Sequence, residues 1–173
     1  MSVAQAEEFY GPVKKSLAEK LREPVTKRAQ LALQRELGFS IPDDLAREIG
    51  ARLNELAAED QFDRIVKYMT GRDRKATLPA EREAPGLVRC LALVYQGLDA
   101  VKKIRNIVGS TDPRKAAAAT VRREFGHDLM VNAAHASDSV ENAEREMGII
   151  NFDEDDISPI VNDHLEARGK NVV

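Results

Sequence analysis

The assignment of this chain begins from one octapeptide, Asn132-Ala-Ala-His135-Ala-Ser137-Asp138-Ser139. It places a single histidine between an upstream asparagine and a Ser-Asp-Ser run. A neutral imidazole is a good nucleophile near pH 7, because its unperturbed pKa of about 6.5 leaves it largely deprotonated. A nucleophilic histidine is therefore the first hypothesis for this segment.

The octapeptide resembles the phosphorylated-histidine motif of nucleoside diphosphate kinases, and the resemblance extends over roughly residues 86–150. Upstream of His135, three further elements stand at the family's own spacings: Arg105, Thr111-Asp112-Pro113 and Thr120-Val-Arg122-Arg-Glu-Phe125. Downstream, Glu146 occupies the position of a family glutamate. The co-occurrence of these polar positions identifies the chain as a member of that family.

The resemblance implies a two-step reaction, in which His135 takes a phosphate from a nucleoside triphosphate and passes it to a diphosphate. Glu146 would hold the far ring nitrogen of His135, and Ser137 would support that glutamate. Phosphate-binding roles fall on Arg105, Thr111 and Arg122, which offer planar guanidinium donors and a hydroxyl. The sugar contact falls on Asn132, an apolar base contact on Leu129, base stacking on Phe62, and a nucleotide-adjacent position on Tyr10.

The expected partners are ATP and other nucleoside tri- and diphosphates, with Mg²⁺ arriving on the nucleotide and not in a dedicated protein site. The family also implies a homo-oligomer. A net charge of -3 gives no electrostatic case for nucleic-acid binding. No apolar stretch approaches the ~20 residues of a membrane helix, and no signal region follows Met1, so a cytoplasmic protein is expected.

Composition favours one globular domain with at most a small annex, since 43% of the 173 residues are hydrophobic and 32% are charged. The single cysteine, Cys90, excludes an intramolecular disulfide. It lies in an apolar run, which predicts a buried structural thiol.

Residues 1–70 have helical periodicity, and Pro12 and Pro24 are expected to divide them into separate helices. Leu45, Ile49, Leu53 and Leu56 form one apolar stripe, which predicts a core-facing helix. A further short helix is expected around residues 62–69, ending at Gly71, and residues 71–85 have the composition of a loop.

In the second half, short apolar runs predict strands at Leu87–Tyr95 and Asp128–Ala133. A helix is predicted over residues 97–108, and another is expected to begin at Asp138. The resulting organisation is a helical segment with an insertion (1–70), a kinase core (71–150) and an acidic tail (151–173).

The chain departs from the family in lacking a Lys-Pro-Asp segment, which the family carries on its first strand. The expected fold is α+β, a ferredoxin-like nucleoside diphosphate kinase fold with a helical insertion and without the N-terminal strands. Two explanations stay open: an internal start within a longer kinase, or a remodelled relative. The alternative function is a non-catalytic module, derived from the kinase fold, that binds nucleotides or a protein.

Overall fold

The computed structural model describes residues 1–150 and 158–167, which belong to two compact units, Met1–Leu91 and Ala92–Val173. The first unit contains α1 (Val3–Leu37), α2 (Asp43–Thr70) and a short 3-10 helix (Pro79–Glu81). The second contains α3 (Ala100–Val108), α4 (Val121–Phe125), α5 (Val140–Ile149) and α6 (Ser158–Ala167). In these two ranges no helix has both the length and the apolarity needed to cross a bilayer.

α1 is one continuous helix through both of its prolines, so the prediction that Pro12 and Pro24 divide it was wrong. Ser2 and Gln5 form a capping box at its start, and Gly38 ends it in the left-handed conformation with φ 74°. Each proline removes one helical hydrogen bond. Packing against α2 stabilises the helix in spite of these losses, as tertiary contacts commonly do.

α2 is a single helix that ends at Gly71, where the sequence predicted an end. Its buried residues recur every four positions and begin with small side chains: Ala46, Gly50, Asn54, Ala58, Phe62, Val66 and Thr70. The predicted leucine stripe does not face the core, because Leu45, Leu53 and Leu56 are 43%, 39% and 68% exposed. A Cβ on Gly50 would lie 1.9 Å from Thr26 Oγ1 on α1. The helices therefore approach too closely for leucines at this contact.

Arg74 connects the loop after α2 to both long helices, α1 and α2. Its guanidinium pairs with Glu7 of α1 and with Glu59 and Asp63 of α2. It also lies over the ring of Phe62, with Cζ 5.2 Å from the ring centroid. This mostly buried network holds a loop that has little regular structure of its own.

The predicted strand at Leu87–Tyr95 does not form, and residues 1–150 and 158–167 contain no strand at all. A strand needs a neighbouring strand for its backbone hydrogen bonds, and here Leu87 N–H donates instead to Thr70 O. The side chains of this segment are exposed, including Cys90, so the prediction of a buried thiol was also wrong.

The second predicted strand, Asp128–Ala133, is replaced by turns. Asp128 Oδ1 accepts hydrogen bonds from the backbone N–H groups of Met130 and Val131, both at 2.8 Å. His127 N–H donates to Val131 O at 2.7 Å. These local bonds satisfy the backbone groups that a sheet would otherwise use.

The C-terminal tail contains the helix α6. The acidic run Asp153–Asp156 lies outside the described residues.

Candidate active site

His135 lies in the Ala92–Val173 unit, directly after a strained turn. Ala134 N–H donates to Asn132 O at 2.9 Å, and the residue between them, Ala133, has φ 71°. This is a γ-turn with a positive-φ central residue, a conformation that L-amino acids adopt rarely. The backbone direction just before His135 is therefore one that neither a helix nor a strand would give.

Glu146 on α5 holds the imidazole of His135. The distance from His135 Nε2 to Glu146 Oε2 is 2.9 Å, and Ser137 Oγ donates to the same oxygen at 2.6 Å. Arg145 Nη2 lies 3.4 Å from the other carboxylate oxygen, Oε1. A carboxylate on Nε2 places the ring proton there and the lone pair on Nδ1.

The environment of Glu146 favours its ionised form. Burial acts to raise the pKa of this carboxyl, but the hydrogen bonds from His135 and Ser137, with the nearby charges of His135 and Arg145, outweigh it. The pKa of Glu146 therefore lies below its usual value. A charged carboxylate can stabilise positive charge that develops on the ring.

Glu146 lies on α5, whose N-cap is only four residues after His135 in the sequence. Ser139 is the N-cap, and its hydroxyl accepts from Asn142 N–H at 3.1 Å. The helix was expected to begin at Asp138, but that carboxylate accepts from the side chain of Asn142 instead. Either residue type is suited to a helix start, and the one used here is the serine.

Two arginines hold the backbone on either side of His135. Arg122 Nε and Nη2 donate to Ala134 O at 3.1 and 2.8 Å, and its Nη1 donates to Gly109 O at 2.8 Å. Arg105 Nη1 donates to Ala136 O at 3.5 Å. Arg122 is thereby fixed close to the histidine, whereas Arg105 is exposed and makes only this one long hydrogen bond there.

The two guanidinium groups bring positive charge to this side of the unit, where the carboxylate of Asp138 also lies near Arg105. Burial lowers the pKa of Arg122, and the positive charge of Arg105 lowers it further. Among residues 1–150 and 158–167, neither arginine forms a salt bridge with a carboxylate. Like charges held together beside a nucleophile are suited to an anionic ligand.

Thr111 is exposed in the turn after α3, next to a rigid Asp112–Arg114 pair. The guanidinium of Arg114 binds both oxygens of Asp112 at 3.0 Å, which lowers the pKa of that aspartate. Asn132 Nδ2 donates to the carbonyl of Leu129 at 3.0 Å, so these two candidate residues share one turn. The side chain of Leu129 is 56% exposed.

Tyr10 and Phe62 belong to the Met1–Leu91 unit, where both are buried. The rings of Phe9 and Tyr10 lie 4.9 Å apart, and Phe62 contacts Lys14 and Arg74. Within that unit both side chains contribute to packing. One group of predicted site residues thus lies together in the Ala92–Val173 unit: His135, Glu146, Ser137, Arg105 and Arg122. Tyr10 and Phe62 belong to the other unit.

Sequence reasoning missed the contact of Arg145 with Glu146 and the γ-turn at Ala133. The only sequence signal for the contact of Arg145 with Glu146 is that the two residues are adjacent. No residue pattern indicates a positive φ at an alanine.

Comparison with known proteins shows which family this chain is similar to. A family model described as nucleoside diphosphate kinase matches residues 53–157. A nucleoside diphosphate kinase of Acidiphilium cryptum is 35% identical over 130 residues, covering 68% of this chain and 92% of that protein. One from Saccharolobus islandicus is 33% identical over 114 residues, covering 65% of this chain and 70% of that protein.

A nucleoside diphosphate kinase of Archaeoglobus fulgidus is 45% identical over 67 residues. That match spans 39% of this chain and only 44% of the relative. The family model covers more than half of the chain, and the Acidiphilium protein is aligned over nearly its whole length. The chain therefore belongs to the nucleoside diphosphate kinase family.

Proposed function

We propose that this chain is a nucleoside diphosphate kinase that transfers a γ-phosphate through a phosphohistidine on His135. The observation that carries the proposal is the setting of this one side chain. Glu146 is hydrogen-bonded to Nε2 of the ring, and two arginines donate to the backbone carbonyls of the residues on either side. A nucleophile with an orienting base partner and adjacent cations meets the requirements of phosphoryl transfer.

In the first step, the Nδ1 lone pair attacks the γ-phosphorus of a nucleoside triphosphate. The N–P bond forms as the bond from phosphorus to the β-phosphate oxygen breaks, and that electron pair leaves with the diphosphate. The ring becomes cationic while its Nε2 proton stays hydrogen-bonded to Glu146, whose negative charge stabilises it. The second step reverses this sequence with a different diphosphate as acceptor.

The phosphates would be bound by Arg105, Thr111 and Arg122. Arg122 uses three of the five N–H donors of a guanidinium on backbone carbonyls, which leaves two for a phosphate oxygen. Asn132 would contact the sugar and Leu129 the base. The family resemblance assigns nucleotide contacts to Phe62 and Tyr10 as well, but both side chains are buried within the Met1–Leu91 unit.

Mg²⁺ would bind the nucleotide phosphates, where it neutralises negative charge during transfer. In the part of the chain that the structure describes, no group of three or more His, Cys, Asp or Glu side chains is placed to hold a metal ion. The carboxylate beside His135, that of Glu146, is already bound by His135 and Ser137 and lies 3.4 Å from Arg145 Nη2. This donor set fits a metal whose ligands are mainly phosphate oxygens and water.

We also propose that the chain between Tyr10 and Phe62 is a helical insertion relative to the family, and that the protein is cytoplasmic and assembles as a homo-oligomer. These statements rest on family membership. They do not enter the test of the chemistry.

The test is phosphoenzyme formation from γ-labelled ATP and Mg²⁺, with His135→Ala as the loss variant and His127→Ala as the matched control. His127 is another exposed histidine of the same unit. We expect acid-labile label on the wild type and His127→Ala, none on His135→Ala, and release of the label to added nucleoside diphosphate. A folded wild type that acquires no label would refute catalysis and favour nucleotide binding without transfer.

A further inference from the structure

Arg122 joins two backbone segments that are distant in sequence. One is Gly109, the residue that ends α3, and the other is Ala134, the residue before His135. Its side chain is deeply placed, with the residue only 8% exposed. Burying a guanidinium costs free energy unless its donors are satisfied, and these charge-assisted hydrogen bonds offset that cost.

The segment that Arg122 holds is the strained γ-turn Asn132–Ala134. Ala133 has φ 71°, which is unfavourable for any residue with a Cβ. Strained backbone persists only where the surrounding structure fixes it. The fork of Arg122 Nε and Nη2 on Ala134 O is one such contact, and it acts on the residue bonded directly to His135.

The other end of the connection is itself rigid. Gly109 has φ 86°, and a Cβ there would lie 2.5 Å from Thr120 Oγ1. Thr120 is the N-cap of α4, the helix that carries Arg122. The Gly109 carbonyl is thus set by packing against the start of the same helix, so it is a fixed anchor for the guanidinium.

We propose that Arg122 is a positioning residue for His135, fixing the strained turn to the end of α3 and so keeping the imidazole against Glu146. This inference rests on the proposed function, because the atom being positioned is the phosphoryl acceptor. It assigns Arg122 a role that is exercised before any nucleotide binds. The role needs the planar fork of arginine, which lysine does not possess.

The competing view makes Arg122 a phosphate ligand and nothing more. Lysine is also a good phosphate ligand, as a point charge. Arg122→Lys therefore separates the two views, and it keeps the charge and most of the length of the side chain. Arg123→Lys is the matched control, because Arg123 lies next to Arg122 but donates to the carbonyls of Pro113 and Arg114.

The readout is ¹⁵N-histidine NMR of the nucleotide-free protein, which reports the Nε2 proton of His135 and its protection from exchange. Glu146→Ala supplies the signal expected when the hydrogen bond is lost. We expect the wild type and Arg123→Lys to retain a protected Nε2 proton, and Arg122→Lys to lose it as Glu146→Ala does. Phosphorylation of His135 should fall about tenfold or more in Arg122→Lys, as expected when a reacting group is misplaced.

A wild-type Nε2 signal in folded Arg122→Lys would overturn the positioning role. Arg122→Ala provides a second comparison, with circular dichroism to show that it folds. If the NMR change is seen but the wild type forms no phosphohistidine, the positioning inference stands and the kinase proposal fails. The two failures are thereby distinguished.

Discussion

The charge on Glu146 is expected to stabilise the folded state. Because the folded-state pKa of this carboxyl lies below its usual value of 4.5, the ionised form interacts more favourably in the native protein than in the unfolded chain. The contribution is complete above the unfolded pKa and is lost as the pH falls through the lower, folded value. Glu146→Gln removes the charge and retains the shape.

We therefore expect Glu146→Gln to be less stable than the wild type at pH 6–7, with the difference closing as the pH falls below 4.5. Urea titrations at a series of pH values measure it. Glu144→Gln is the control, since Glu144 is an exposed carboxylate on the same helix. A difference that stays constant down to acid pH would contradict a stabilising charge.

Ala119 lies in the left-handed conformation, with φ 62°, just before the N-cap of α4. An alanine pays about 1 kcal/mol or more for this conformation, which glycine adopts freely. Ala119→Gly should raise the free energy of unfolding by up to about 1 kcal/mol, after the greater unfolded-state entropy of glycine is subtracted. Thermal or urea unfolding would show the change.

Ala118→Gly is the matched control, because Ala118 is exposed, adjacent and outside the positive-φ region. It should lower stability slightly, through the unfolded chain only. Equal effects from both substitutions would mean that the left-handed conformation carries no strain.

At the scale of elements, the contact between α1 and α2 depends on a glycine at its centre. Helix propensity predicts that Gly50→Ala stabilises by about 1 kcal/mol, but packing predicts the opposite. The added Cβ would lie 1.9 Å from Thr26 Oγ1 and 2.8 Å from Thr26 Cα, so no side-chain rotation can make room. We expect Gly50→Ala to lose about 1–3 kcal/mol in the free energy of unfolding.

Gly148→Ala tests the same propensity without the contact, because nothing lies within 4 Å of a Cβ at this helical position. Gly148→Ala should raise the free energy of unfolding by up to about 1 kcal/mol. Opposite signs for the two substitutions, measured by urea unfolding, would establish close packing at Gly50. A gain from both would show that the helices separate easily.

The elements predicted correctly from the sequence are those fixed by local signals. The helix ends at Gly71 and Val108 coincide with glycine C-caps, and α5 was expected close to its observed start, although Ser139 and not Asp138 is its N-cap. The strand at Leu87–Tyr95 was wrong because an apolar run says nothing about whether a neighbouring strand exists. The face of α2 was wrong because the approach of α1, and not hydrophobicity, selects which side is buried.

The candidate site divides in the same way. The family resemblance predicted that Glu146 would hold His135 and that Ser137 would support Glu146, and these three side chains do meet. The contacts of Arg122 could not be anticipated, because its acceptors are backbone carbonyls at Gly109 and Ala134. Backbone atoms carry no residue-specific signal, and only the folded chain brings these two together.

At the scale of the whole molecule, one exposed apolar segment contains the only cysteine. Leu87, Leu91, Leu93 and Tyr95 are 71%, 68%, 61% and 59% exposed, and Cys90 lies among them. Exposed apolar side chains in one stretch of sequence favour association with another apolar surface. A thiol at its centre reports directly whether the segment is covered.

We expect Cys90 in the native protein, at low micromolar concentration, to react with a thiol-specific reagent as fast as it does in the urea-unfolded chain. Accessibility controls the rate at which such a thiol reacts, and Cys90 is exposed. Cys90→Ser supplies the background rate. Slow labelling at every concentration would contradict the exposed placement of this segment. Labelling that slows only as the protein concentration rises, beside a matching increase in mass by light scattering, would show that copies of the chain associate through it.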